Sequence, residues 1–338
     1  MSALFQKILS SPKRLAMPVA VYPGLSLAGT RVIDVVTNAK AQFETQAAFH
    51  RRFNTIAVFS AMDLSLEAEA FGAEIKMPED EVPAVVNRLV STSEDVEKLR
   101  VPKPGDKRTG IFLETVRMLS GLHPQPIVLG GMIGPFSLAG RIFGVGESLE
   151  LVANDPDLME ALLEKCAAFL IDYAKAFKAA GADALLVAEP TAGLLSPGML
   201  GIHSAPYVKR IREAVADERF DIILHDCAAR LIHLPRIMES GVKFMHFGSP
   251  MDIPAVLKQV PPDVIVSGNL DPSAMFCKAD RDEMAARTRE LLDATENYRN
   301  FVISSGCDLP PNTLMENVEA FFAEVDKGRP ANSISRRW

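Results

Sequence analysis

Residues 157–190, DLMEALLEKCAAFLIDYAKAFKAAGADALLVAEP, decide the fold, because two periodicities follow one another within them. Leu158, Leu162, Leu163, Cys166, Leu170, Tyr173 and Phe177 recur at steps of three and four, which lays one apolar stripe along a helix. Asn154-Asp155-Pro156 ahead of them offers a capping side chain and a proline suited to the first turn, and Gly181 is placed to end the helix. The run 184–188 that follows is short and wholly apolar, as expected of a strand buried on both faces, and Glu189-Pro190 closes it. Cys166 falls on the apolar stripe and reads as core.

The same alternation extends in both directions. Candidate strands lie at 18–22, 55–60, 127–132, 184–188, 222–224, 244–247, 264–267 and 301–304, and further helical patterns at 32–52, 205–217, 231–240, 281–295 and 313–327. Eight strands separated by helices is the number that closes a TIM barrel. Residues 63–109 interrupt the repeat with an acidic stretch and a proline-rich piece, and hold too few apolar residues for a core of their own. The expected fold is therefore α/β, a single (β/α)8 TIM barrel over residues 1–338, with an N-terminal excursion near the barrel mouth and a tail at 329–338 that is frayed or interface-bound.

Composition sets the bounds on function. With 23% charged residues, a formal net charge of −7 and no long Lys/Arg cluster, nucleic acid is not expected as the main partner. No run of about 18 apolar residues and no signal-peptide core appear, so neither a membrane span nor export is expected, and the reading is cytoplasmic. Four cysteines (Cys166, Cys227, Cys277, Cys307) are too few for a disulfide framework and fit a reducing compartment.

In a barrel of this kind the chemistry sits where strands end and βα loops begin. His225 and Cys227 stand at i and i+2 after the run 222–224, on one face of an extended segment, and Cys307 ends the run 301–303 far downstream. One imidazole and two thiolates suit Zn²⁺, and three protein ligands leave a fourth position for water or substrate. At this level the alternative stays open that both cysteines are buried small hydrophobes and His225 a hydrogen-bonded core residue. Glu189 is a candidate catalytic residue, orienting His225 or meeting substrate, or else a buried hydrogen-bonded carboxylate. Asp63, Asn269 and Asp271 are candidate substrate contacts, although Asn-Leu-Asp-Pro after a strand is also ordinary turn chemistry. His233 and His246 read as structural, His50, His123 and His203 as surface or loop residues, and Cys277 as inert in a helix.

Pro135-Phe136-Ser137-Leu138-Ala139-Gly140, Ala188-Glu189-Pro190, His225-Asp226-Cys227, Gly268-Asn269-Leu270-Asp271-Pro272 and Ser305-Gly306-Cys307-Asp308 together resemble the uroporphyrinogen decarboxylase superfamily. Within it the chain resembles the zinc-dependent corrinoid methyltransferases, the methylcobamide:coenzyme M methyltransferase type, over roughly residues 18–327. The resemblance implies Zn²⁺ on His225, Cys227 and Cys307, methylcobamide on a corrinoid protein as methyl donor, and a small thiol such as coenzyme M, or a pterin such as tetrahydrofolate, as acceptor. The alternative is a metal-free uroporphyrinogen decarboxylase-type lyase of heme biosynthesis. Against it, the decarboxylases' arginine-rich substrate motif would fall on residues 18–30, where no arginine occurs. A third possibility is a non-catalytic barrel that binds a corrinoid or tetrapyrrole. In the methyltransferases an acidic residue commonly follows strand six; here that loop departs from the pattern, reading Phe247-Gly248-Ser249-Pro250-Met251-Asp252, and water, Glu189 and Asp252 are the candidates for the fourth zinc position.

Overall fold

A computed structural model describes residues 1–327, so the tail at 329–338 lies outside the described residues. Eight strands form one parallel sheet: β1 Leu15–Ala16, β2 Ala57–Phe59, β3 Ile127–Ile133, β4 Ala184–Ala188, β5 Asp221–Asp226, β6 Phe244–Phe247, β7 Ile265–Leu270 and β8 Phe301–Ser305. Their order is β1-β8-β7-β6-β5-β4-β3-β2, the strand number and sequential order of a (β/α)8 barrel, with β1 and β2 as the two edges. Almost every strand residue is buried, because helices cover the outer face and side chains fill the inner one.

The first strand differs from expectation. It is Leu15–Ala16, and the expected strand at 18–22 is irregular chain leading into a tight turn at Tyr22–Gly24. Proline accounts for the shift. Met17 N donates to Ile303 O (2.9 Å) as the last rung against β8, and Pro18 has no N–H to continue the ladder.

The seam between β1 and β2 is spanned by side chains from the helix Ala39–Phe53. The Gln46 amide donates to Ala20 O (3.0 Å) and Val21 O (3.3 Å) and accepts from Phe59 N (3.0 Å), while Gln42 accepts from Ala61 N (3.0 Å). Backbone groups at a buried edge need such partners, since leaving them unpaired costs about as much as a lost hydrogen bond.

The long helix expected before β4 is Pro156–Ala179, with Asp155 accepting from Leu158 N (3.1 Å), proline in the first turn and Gly181 at φ +99° after its end. Cys166 is fully buried on its stripe. The single helix expected over 32–52 is instead two, Val32–Thr37 and Ala39–Phe53. Asn38 adopts an extended conformation between them and caps Ala41 N with its side chain. A short polar side chain that can bond its own backbone competes with helix continuation.

Between β2 and the helix Thr109–Leu119 lie the helix Leu66–Phe71, a two-stranded antiparallel pair (Ile75–Lys76 with Ala84–Val85) and the helix Ser93–Lys98. Glu67 on the first of these is buried; its Oε1 accepts from Ile133 N (3.1 Å) and its Oε2 has no partner. Burial pushes its carboxyl from 4.5 up to about 8. The folded chain therefore holds this proton more tightly than the unfolded one, and stability is expected to fall as pH rises from about 4.5 to about 8 and to level off above. Urea unfolding across that window checks this. Glu67→Gln should remove a fall of a few kcal/mol, since each tenfold difference in proton affinity between the folded and unfolded chain is worth about 1.4 kcal/mol. An unchanged slope would refute it.

Candidate metal centre

His225 is the next-to-last residue of β5 and Cys227 follows one residue beyond its end, while Cys307 lies two residues beyond β8. The sheet brings them together: one ligand atom from each lies within 4.8 Å of the others. Two sulfurs bound to one zinc at ~2.3 Å would stand about 3.8 Å apart, within that spread. Gly248 lets the β6 loop press against this corner, since a Cβ there would come within 2.1 Å of Cys227 O.

The local chemistry fits a soft divalent ion. His225 Nε2 is buried without a hydrogen-bond partner. Its Nδ1 lies 2.8 Å from His246 Nδ1, His246 Nε2 lies 2.8 Å from Ser304 Oγ, and Ser304 Oγ donates to Met17 O (2.7 Å). Hydrogen bonding from Cys307 lowers the Cys227 thiol, whereas that same contact, and then burial, pushes the Cys307 thiol up to about 12 against the opposing effect of the His225 ring. A donor set of one imidazole nitrogen without a hydrogen-bond partner and two sulfurs suits Zn²⁺.

All three residues line one cavity of about 230 Å³ whose walls are mostly apolar, among them Val19, Leu186 and Leu309. Two polar atoms in that wall, Tyr22 Oη and Asp308 Oδ2, are buried without partners. Burial, and then the Asp308 charge, holds the Tyr22 phenol well above its usual range. Burial and neighbouring Cys307 do the same for the Asp308 carboxyl.

Glu189 N donates to His225 O (2.8 Å), but the side chains of the other sequence candidates bond groups outside the three ligands. Both oxygens of Glu189 are engaged at the start of the helix Pro135–Phe143, accepting from Phe136 N (3.0 Å), Ser137 N (2.9 Å) and Ser137 Oγ (2.7 Å), with Ser204 Oγ at 3.3 Å. Burial raises its carboxyl against those bonds. Gly134 makes room for it, because a Cβ there would meet Glu189 Cγ at 2.4 Å. The ring of His225 meets His246, and the Glu189 side chain bonds the start of the helix Pro135–Phe143 instead. Asp63 is buried in an ion pair with Arg108 and accepts from Ser65 N (2.9 Å) and Ser65 Oγ (2.6 Å). Asn269 holds the β6 loop through Gly248 O (3.0 Å) and Met251 O (2.6 Å), and Asp271 caps Ala274 N (2.7 Å) and accepts from Ser249 Oγ (3.1 Å). Bonds of this kind hold turns together. Asp252 is exposed and caps Ala255 N (3.0 Å), so neither it nor Glu189 joins the three ligands among the described residues.

Two histidines depart from expectation. His50 and His203 are buried rather than at the surface. His246, fully buried, touches the candidate ligand itself, a contact that no local spacing reveals because it depends on β5–β6 register. His233 is structural, its ring accepting from Arg230 N (3.0 Å). Cys277 is half-buried beside Asn312 and Thr313.

No helix among the described residues is long and apolar enough to cross a membrane. Curated relatives include a methylcobamide:CoM methyltransferase MtbA from Methanosarcina acetivorans, 30% identical over 83% of this chain and 84% of that protein. Its counterpart from Methanosarcina mazei is 31% identical over the same shares. A uroporphyrinogen decarboxylase from Prochlorococcus marinus is 24% identical over 86% of this chain and 85% of its own length. Among solved structures, a methyltransferase from Methanosarcina mazei superposes with a TM-score of 0.85 at 22% identity, covering 96% of this chain and 97% of the other, which supports the fold. The model of uroporphyrinogen decarboxylase (URO-D) matches residues 14–328, so this chain belongs to the uroporphyrinogen decarboxylase family.

Proposed function

We propose that this protein is a zinc-dependent methyltransferase that moves a methyl group from a methylated corrinoid protein to a small thiol such as coenzyme M. The observation that carries the reading is the convergence of His225, Cys227 and Cys307 on one point in the wall of a mostly apolar cavity. The relatives named methylcobamide:CoM methyltransferase support it at 30 and 31% identity.

Zn²⁺ bound there would supply the positive charge that keeps an acceptor thiol ionised at neutral pH, where a free thiol with pKa about 8.5 is mostly protonated. Cys227 and Cys307 as thiolates, with a neutral His225, would balance the ion's charge and leave an acceptor sulfur electron-rich. Val19, Leu186 and Leu309 exclude water from that sulfur. Its carbon–sulfur bond forms as the cobalt–carbon bond breaks; the bonding electron pair stays on cobalt, and the thiol proton passes to solvent. Leu64 and Val82 also line the cavity, which supports reading residues 63–109 as a cap over the mouth of a closed (β/α)8 barrel. Glu189, in this reading, shapes that mouth by pinning the start of the helix Pro135–Phe143 to the end of β4. A reducing cytoplasm keeps Cys227 and Cys307 free to bind metal.

Metal analysis of protein purified without chelator should find about one zinc per chain. Methyl transfer from methylcobalamin should then be measured to coenzyme M, 2-mercaptoethanol, cysteamine and tetrahydrofolate. No cationic side chain is among the described residues lining the cavity, so neutral thiols belong in that panel beside the anionic one. Metal-free protein that releases CO₂ from uroporphyrinogen would replace this proposal with the decarboxylase.

A further inference from the structure

We infer that His246 and Ser304 are positioning residues that lock His225 in the one tautomer able to bind the metal, with the direction set by a backbone carbonyl, Met17 O. Three consecutive hydrogen bonds impose that direction. A carbonyl oxygen only accepts, so the single hydroxyl proton of Ser304 is committed to Met17 O at 2.7 Å. Ser304 Oγ must then meet His246 Nε2, 2.8 Å away, as an acceptor, which places the His246 proton on Nε2. A neutral imidazole carries one such proton, so His246 Nδ1 is bare and accepts from His225 Nδ1–H at 2.8 Å. With its proton on Nδ1, His225 keeps a lone pair on Nε2, the buried atom with no protein partner. Reversing any one of the three bonds would strip Met17 O of its donor, and an unpaired buried carbonyl costs ~1–3 kcal/mol.

Strand register builds this chain. His225 and His246 are Cα partners across β5 and β6, so their rings meet edge to face with centroids 4.7 Å apart. The ring N–H of a metal-bound histidine is usually taken by a carboxylate, a backbone carbonyl or water. A neutral histidine in that role adds no negative charge, which preserves the balance of two thiolates against one divalent ion.

The inference rests on the metal-centre reading for its purpose, but the tautomer belongs to the metal-free chain and is measured there. Full-length protein labelled with ¹⁵N-histidine should show His225 as the Nδ1–H form in long-range ¹H–¹⁵N correlation spectra, and Ser304→Ala should give a mixture of both forms. Finding the wild-type ring in the Nε2–H form would overturn the proposal whether or not zinc binds. In competition against a chromophoric chelator, His246→Leu should weaken zinc binding by ~10–100-fold. His246→Asn, whose amide oxygen takes the place of Nδ1, should recover most of that loss, which a purely packing role would not allow. Unchanged zinc affinity in His246→Leu would equally overturn it. A wild-type chain that binds no zinc while His225 holds the Nδ1–H form would defeat the metal reading and leave the tautomer lock standing.

Discussion

Cys307→Ala is expected to abolish zinc binding and methyl transfer together while leaving the fold intact. Losing a partner that merely orients a ligand costs ~10–100-fold in metal affinity, so losing one of three direct ligands should cost more than ~100-fold. Cys307 is half-buried in the cavity wall, so its truncation removes little packing, and circular dichroism should be unchanged. Two cysteine controls sharpen the result. Cys277→Ala should keep full zinc and full transfer, because its sulfur bonds Asn312 and Thr313 and is not one of the three candidate ligand atoms. Cys166→Ala should lose stability, its side chain being fully buried on the helix Pro156–Ala179, yet keep its zinc. A Cys307→Ala protein that retains one zinc per chain and transfers methyl groups at the parental rate would remove the basis of the proposed function.

The second large effect concerns stability. Arg108→Met should lower the unfolding free energy by ~3–5 kcal/mol, the usual cost of breaking a buried ion pair by deleting one partner. Asp63 has no exposed side-chain surface, and the Arg108 guanidinium bonds it together with Glu69 Oε2 (2.6 Å) and Val36 O (3.3 Å). Without that cation the Asp63 charge is left in the interior with the Ser65 N–H and hydroxyl as donors and the Arg141 charge as a weaker neighbour. Adding Asp63→Asn to Arg108→Met should recover much of the loss, because it removes the stranded charge. Urea denaturation at pH 7 of the two single variants and the double variant measures the coupling. A loss below about 1 kcal/mol in Arg108→Met would show that the pair is not buried as described. This network also explains why Asp63 looked functional in the sequence: a carboxylate just past a strand end reads as a substrate contact, but its partner lies 45 residues downstream.

Much of the candidate site was legible in the amino-acid order. His225 and Cys227 sit two residues apart at a strand end, a local pattern, and Cys307 is the remaining sulfur at the end of another strand. Glu189, Asn269 and Asp271 were legible only as polar residues at strand ends. Whether such a residue faces a ligand or bonds its own loop depends on where its neighbours' backbone groups fall. Here Phe136 N, Met251 O and Ala274 N took those roles. His246 was passed over because a histidine inside an apolar strand carries no signal of what lies beside it. Tyr22, read as a strand residue, proved to be a cavity wall once Pro18 had ended β1 early.

What the chain's order determined by itself was everything governed by neighbours within a few positions. Apolar periodicity set the helix Pro156–Ala179 and its capping, and short β-branched or apolar runs placed seven of the eight strands. The tertiary structure alone decided which atoms meet: the thiols of Cys227 and Cys307, remote along the chain, the seam spanned by Gln46, and the hydrogen-bonded file from Met17 through Ser304 and His246 to His225. Those contacts depend on strand register and on the curl of the sheet. Register and curl are settled by packing summed over the whole core, and a one-residue slip would turn each of these side chains to the opposite face.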